Sequence, residues 1–160
     1  MIEFDCNRVT KLLIEKNMTI SFMESCTSGL LASMLTDTEG ASGIFKGSLV
    51  TYSNQMKIAA GVSAKVIEDY GVYSAECALS MAETVKKIYG TDIAVGITGT
   101  TGNPDPANRD SVLGMAFFCI IFGKKIFNFT IEENVGRLSR KEIKQLYADR
   151  VFDELLKLLA

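Results

Sequence analysis

The chain alternates between short apolar runs and longer segments with helical periodicity, and this alternation most constrains its fold. The apolar runs have the length and the β-branched content of buried strands, and they lie at residues 19–23, 44–53 and 93–98. Helical spacing predicts helices at residues 5–16, from 27 or 28 onward, at 55–60, 63–69 and 74–89, and from about 139 to 159. Strands separated by helices in this way form a parallel sheet that is covered on both faces.

The last third of the chain departs from this alternation. Residues 112–122 and 125–130 are strand-like and are separated by Gly123-Lys124, which is typical of a β-hairpin. The sequence therefore predicts an α/β fold, a three-layer α/β/α sandwich with a mixed β-sheet. Because no repeat, low-complexity segment or proline-rich linker interrupts the pattern, we expect residues 1–160 to form one domain.

Charge and composition exclude several classes of function. The net charge of −2 gives no basic surface for nucleic acid, and no apolar stretch is long enough for a membrane span. The first residues lack an export pattern, so we expect a cytoplasmic protein whose four cysteines are free thiols. The chain contains no histidine, which excludes the usual serine or cysteine hydrolase arrangement. No metal site and no cofactor are expected, and a small molecule is the expected partner.

Polar turns follow each of the three predicted parallel strands, at residues 25–28, 52–54 and 98–101. Ligands of such sheets bind beyond the carboxyl ends of the parallel strands. Ser25 precedes a helix, where free N–H groups favour a phosphate or an oxyanion. Ser25 or Thr27 could equally be a helix N-cap, and Cys26 is a rival nucleophile because a thiolate forms more readily than an alkoxide.

Tyr52 and Lys57 carry the base types that are left when histidine is absent. If strand 44–53 lies beside strand 19–23, both side chains reach the sheet edge that carries Ser25. Lys57 can act as a base only where burial or neighbouring cations lower its pKa; otherwise it is an exposed charge on a short helix.

The glycine-rich segment 96–102 fits neither a dinucleotide fingerprint nor a P-loop, although its backbone could approach a ligand. Arg137 and Arg140 precede or begin the last helix, where they could hold a phosphate or cover a solvated surface.

Three segments together resemble one known family, the carboxy-terminal domain of the CinA (competence-damage-inducible) proteins. They are ESCTSGLLASMLTDTEGAS at 24–42, GSLVTYSNQMKIAAGV at 47–62 and YGVYSAECALSMAETVKKIYGTDIAVGITG at 70–99. Stand-alone members of the family are nicotinamide-nucleotide amidases. The resemblance implies a metal-free amidase that converts nicotinamide mononucleotide to nicotinic acid mononucleotide and ammonia in pyridine-nucleotide salvage, and it implies homo-oligomers.

The same resemblance assigns residue roles in this sequence. It favours Ser25 over Cys26 as the nucleophile and makes Tyr52 and Lys57 the activating pair. The substrate-binding residues that it implies are Cys26, Thr27, Ser28, Gly29, Asn54, Thr98, Gly99 and Arg137.

The chain departs from the family pattern at residues that would surround a pocket. Ser28 replaces the first glycine of a glycine pair, Thr101 replaces an alanine and Asn103 replaces a proline. Residues 110–114 also replace a lysine-proline-valine-glycine segment. These differences leave two alternatives open: an inactive member that binds a nucleotide or a partner, and an amidase for a different amide.

Overall fold

The elements that position the functional site belong to a five-stranded sheet with six α-helices around it. The computed structural model describes residues 2–160, with side chains from Cys6 onward. In chain order the elements are α1 (Ile2–Lys16), β1 (Ile20–Glu24), α2 (Leu30–Thr36), β2 (Phe45–Val50), α3 (Asn54–Ala60), α4 (Ala64–Tyr70), α5 (Ala75–Tyr89), β3 (Ile93–Gly99), β4 (Met115–Phe122), β5 (Lys125–Glu132) and α6 (Arg140–Leu159). None of the helices within residues 2–160 combines the length and apolar character needed to cross a membrane.

The strand order across the sheet is β2-β1-β3-β4-β5. Strand β1 is parallel to both β2 and β3, whereas β4 is antiparallel to β3 and to β5. The predicted mixed sheet and the hairpin at Gly123-Lys124 are therefore confirmed. Since β1, β2 and β3 run in the same direction, their carboxyl ends meet at one edge of the sheet.

Helices cover both faces of the sheet, which confirms the predicted three-layer sandwich. One core joins α1, α2 and α6 to the strands, and α5 packs on the opposite face. Strand β1 is buried along its whole length, and its side chains alternate between the two layers. Ile20 and Phe22 point into the first core and Met23 points into the second. Glu24 shares the face of Ile20 and Phe22, which is the face that α2 covers.

Several predicted boundaries were wrong by two or three residues, among them those of β2, β4 and α2. Strand β2 ends at Val50 rather than at residue 53, because Ser53 caps α3 by accepting a hydrogen bond from the Met56 N–H. Strand β4 begins at Met115 rather than at residue 112, after a turn through Gly114 at φ 75°. Helix α2 begins only at Leu30, because the residues from Ser25 to Gly29 form a separate turn.

Candidate active site

Ser25 lies at the point where β1 leaves the sheet. Its N–H donates to the Ile97 carbonyl at 3.2 Å, which continues the pairing with β3 for one more residue. The chain then turns sharply, since the Ser28 N–H donates back to the Ser25 carbonyl at 3.0 Å. Ser28 occupies the left-handed region at φ 50°, which is uncommon for a residue with a side chain. This turn holds Ser25 at the shared carboxyl edge of the parallel strands.

Lys57 meets Ser25 from helix α3, which follows the neighbouring strand β2. Its side chain is only 3% exposed, and its Nζ donates to Ser25 Oγ at 3.1 Å and to the Thr51 carbonyl at 2.9 Å. Burial lowers the pKa of Lys57, and this effect exceeds the opposing influence of Cys77, Cys26 and the Asp105 carboxylate. A buried amine with a lowered pKa and a hydroxyl within hydrogen-bond reach meet the two requirements for a general base.

Tyr52 is placed differently from Lys57. Its ring is 60% exposed, and its hydroxyl accepts a hydrogen bond from Arg140 Nη2 at 2.9 Å. Among the described hydrogen bonds, none joins Tyr52 to Ser25 or to Lys57. The geometry therefore favours Lys57 alone as the base and places Tyr52 on the pocket wall.

Cys26 lines the first cavity beside Ser25 but is less suited to nucleophilic attack. It is 4% exposed and packs in the apolar core between the sheet and helices α1, α2 and α6. Burial raises the pKa of the Cys26 thiol to about 12, although the N–H groups of Cys26 and Thr27 act to lower it. Very little thiolate is present near neutral pH, so Ser25 is the better placed nucleophile.

Glu24 is the residue that organises the turn, and the sequence analysis did not single it out. Its carboxylate is 0% exposed and lies over the first turn of α2. Oε1 accepts hydrogen bonds from Thr27 Oγ1 at 2.7 Å, the Gly29 N–H at 3.2 Å and the Leu31 N–H at 2.9 Å, and Oε2 accepts one from the Ala32 N–H at 3.1 Å. A buried charge is tolerated here because free N–H groups and the helix dipole surround it.

Glu24 changes the interpretation of the polar turn. The N-cap of α2 is Gly29, with no side-chain cap, so the alternative that placed Ser25 or Thr27 as the cap was wrong. The helix N-terminus already holds an anion, so it is not open to a phosphate. The sequence signal for this arrangement is a carboxylate at the end of an apolar strand, separated from the next helix by one short turn.

The turn still offers backbone donors to a ligand. The Ser28 N–H is used by the Ser25 carbonyl and the Gly29 N–H by Glu24. The N–H groups of Cys26 and Thr27 act to lower the pKa of the Cys26 thiol, and neither donates to another acceptor among the described hydrogen bonds. These two amides are the donors nearest in sequence to Ser25 Oγ that a stronger acceptor could recruit.

Only some of the remaining predicted site residues line the pocket. Thr98 is buried and its hydroxyl donates to the Val72 carbonyl at 2.8 Å, whereas Gly99 lines the pocket. Asn54 forms a reciprocal amide pair with Asn108, at 2.9 and 3.2 Å. Arg137 is exposed and outside the described pocket lining, which instead includes Arg140.

Two adjoining cavities open at this edge of the sheet, with volumes of about 280 Å³ and about 310 Å³. Both are lined by Ser25, Tyr52, Tyr73 and Asp105. The first extends along residues 99–106 to Arg140, and the second extends along α3 to Lys57. The four shared residues show that the two cavities adjoin, and Ser25 lines both of them.

Asp105 and Tyr73 were also missed from the sequence. Tyr73 donates its hydroxyl hydrogen to Asp105 Oδ2 at 2.5 Å. Burial acts to raise the pKa of Asp105, but hydrogen bonds from Tyr73, Asn108 and Ala107, together with the charge of Lys57, hold that pKa below its usual range. Burial and the bond to Asp105 raise the pKa of Tyr73, so its hydroxyl keeps its proton. Periodicity carries no signal for such a contact between two loops.

The fold and the pocket define a class of protein: an α/β/α sandwich with a buried serine and lysine at the carboxyl edge of its parallel strands. The family model described as the CinA C-terminal domain matches residues 5–159. The chain therefore belongs to the CinA C-terminal domain family, and the resemblance found in the sequence is confirmed.

Relatives of two lengths are similar to this chain. Protein MG115 of Mycoplasma genitalium is 33% identical over 154 residues, which cover 96% of this chain and 96% of that protein. A CinA-like protein of Fervidobacterium nodosum is 46% identical over 95 residues, which cover 59% of this chain but 23% of that protein. The chain thus spans a minor part of the longer relative and nearly all of the shorter one.

Solved structures share the fold. The CinA superfamily protein of Escherichia coli superposes with a TM-score of 0.89 at 24% identity, covering 99% of this chain and 90% of that one. The competence or damage-inducible protein of Enterobacter asburiae gives a TM-score of 0.91 at 20% identity, covering 100% of this chain and 99% of that one. At these identities the likeness concerns the fold alone.

Proposed function

We propose that the protein is a metal-free amidase that hydrolyses the carboxamide of nicotinamide mononucleotide, with Ser25 as the nucleophile and Lys57 as the base. The observation that carries this proposal is the 3.1 Å contact between Lys57 Nζ and Ser25 Oγ, which joins two buried side chains. Family membership supports the choice of substrate.

In the first half of the reaction, neutral Lys57 accepts the proton of Ser25 as Oγ attacks the carboxamide carbon. The hydrogen bond to the Thr51 carbonyl holds the amine within reach of Ser25 Oγ, so that the neutral amine can accept the hydroxyl proton. Lys57 then passes this proton to the amide nitrogen, the carbon–nitrogen bond breaks and ammonia leaves. An ester between Ser25 and the nicotinoyl group remains.

The tetrahedral oxyanion needs hydrogen-bond donors that are already in place. We assign this role to the N–H groups of Cys26 and Thr27, because those of Ser28 and Gly29 have protein acceptors. Glu24 acts as a positioning residue, since it fixes the turn that carries these amides.

In the second half, water attacks the ester while Lys57 accepts its proton. Lys57 returns that proton to Ser25 Oγ, and nicotinic acid mononucleotide leaves. Tyr52 forms a wall for the ring, and the Arg140 guanidinium at the end of the first cavity is the better placed group for the phosphate. Arg137 and the backbone of Thr98 are the remaining candidates for contacts with the nucleotide.

Ammonia release from nicotinamide mononucleotide tests the proposal. The intact protein should release one ammonia per nicotinic acid mononucleotide formed, and Ser25→Ala should release none above background. Calorimetric binding of the mononucleotide without release, at high protein concentration, would instead support a binding module. Turnover of another amide, without turnover of nicotinamide mononucleotide, would show that the proposed substrate is wrong and would leave the proposed mechanism in place.

A further inference from the structure

One carboxylate stands on the wall that the two cavities share. Asp105 lines both of them, and it is the only aspartate or glutamate among the residues described as lining either cavity. Among the described residues no salt bridge to a lysine or arginine neutralises it. A substrate that reaches Ser25 therefore passes a carboxylate that takes part in none of the described salt bridges.

The hydrogen bonds that Asp105 accepts decide which ligands it suits. Oδ2 accepts from the Tyr73 hydroxyl at 2.5 Å and from Asn108 Nδ2 at 2.7 Å, and Oδ1 accepts from the Ala107 N–H at 2.9 Å. An ionised carboxylate has about four acceptor positions, so most of them are occupied. Asp105 keeps its charge but offers little to a ligand that needs to donate hydrogen bonds.

A quaternary aromatic cation matches this environment better than an ammonium or a guanidinium. A pyridinium nitrogen that bears a sugar has no N–H to donate, so it needs negative charge and apolar or aromatic contact rather than acceptors. The rings of Tyr52 and Tyr73 line the same two cavities as Asp105 and provide that contact.

The pocket also has opposite charges at separate places. Arg140 lines the first cavity but not the second, whereas Asp105 lines both, as Ser25 does. A ligand with a cationic ring and an anionic tail fits this polarity, because its ring lies near Asp105 when its amide reaches Ser25. A neutral ring gains nothing from Asp105.

We infer that Asp105, whose carboxylate accepts a hydrogen bond from the Tyr73 hydroxyl, is a specificity-determining residue that selects amides carried on a quaternary pyridinium ring over amides on neutral rings. This inference rests on the proposed function, since it concerns the same pocket and the same bond.

The test compares two ligands that differ in ring charge. Nicotinamide mononucleotide carries a cationic ring, and its reduced form has the same amide, ribose and phosphate on a neutral ring. Binding of each is measured by calorimetry in the Ser25→Ala protein, so that turnover does not interfere. The quantity of interest is the ratio of the dissociation constant of the reduced form to that of the oxidised form.

Three variants in the Ser25→Ala background separate charge from loop structure. Asp105→Asn and Asp105→Ser remove the charge in two different ways, so one remains if the other does not fold. Asn108→Ala removes a hydrogen bond to the same carboxylate but leaves the charge in place. The ratio should favour the cation about tenfold in the Ser25→Ala protein, fall to near one in both Asp105 variants, and stay within about twofold for Asn108→Ala.

The outcomes distinguish this inference from the proposed function. A ratio unchanged by the Asp105 variants, in a protein that hydrolyses nicotinamide mononucleotide, overturns the role of Asp105 alone. A ratio that falls as expected, in a protein whose Ser25 form releases no ammonia, supports the inference and overturns the amidase proposal. If neither ligand binds, both are overturned.

Discussion

Replacing Glu24 with glutamine should destabilise the protein by about 3 kcal/mol, because no neutral group satisfies all of its partners. Glu24 accepts four hydrogen bonds between 2.7 and 3.2 Å, three at Oε1 and one at Oε2. Glutamine keeps one carbonyl oxygen for the first three, but its NH₂ group then faces the Ala32 N–H. A lost bond to a charged acceptor is worth about 1.5–3 kcal/mol, and a buried unsatisfied donor adds about 1–3 kcal/mol.

Urea denaturation followed by circular dichroism measures this loss directly. Ser48→Ala is the matched control, because Ser48 donates to the same carboxylate at 3.5 Å from a partly buried position and should change the free energy of unfolding by less than about 0.5 kcal/mol. A total stability of about 5–15 kcal/mol leaves the glutamine variant folded enough to measure. A loss below about 1 kcal/mol, or one equal to that of Ser48→Ala, would refute the account of the buried anion.

Three further predictions follow from the geometry of the site and the sheet. Because Lys57 must be neutral to accept a proton and burial lowers its pKa, kcat/KM should rise with pH through that lowered pKa and be lost below it; a flat profile would contradict this role. Cys26→Ala should keep at least about half of the activity, since burial raises the pKa of that thiol to about 12, and a more than tenfold loss in ammonia release would argue against Ser25 as nucleophile. Gly96→Ala should lower the free energy of unfolding by about 3 kcal/mol or more, because its Cβ would lie 2.4 Å from the Ala78 carbonyl oxygen of α5; a change under about 1 kcal/mol in urea denaturation would disprove the close packing.

The sequence predicted the architecture because the relevant signals are local. Alternation of buried runs with helical periodicity indicates parallel strands, and Gly123-Lys124 indicates the one hairpin. The caps at Ser63 and Ser74 are equally local, since each side chain accepts a hydrogen bond from an N–H three residues later. Such contacts span few residues and depend little on tertiary packing.

The site was predictable only where it depends on strand order. Placing Ser25 and Lys57 at one edge needed a single assumption, that β1 and β2 are neighbours, and they are. The role of Glu24 was missed because a charged residue at a strand end is usually exposed, and only the packing of α2 over β1 buries it. The bond between Tyr73 and Asp105 joins residues 32 positions apart in two loops, which no periodicity encodes.

The central claim is that Ser25 and Lys57 act as one unit on the amide, and a double-mutant cycle on kcat/KM for nicotinamide mononucleotide tests it most directly. Each of Ser25→Ala and Lys57→Met should lower kcat/KM for ammonia release by at least about 10²-fold, with folding checked by circular dichroism. The double variant should lose no more than the more damaged single variant, because either change alone already abolishes the shared proton transfer. Losses that multiply in the double variant, or a single variant that keeps more than about a tenth of the activity, would contradict the claim.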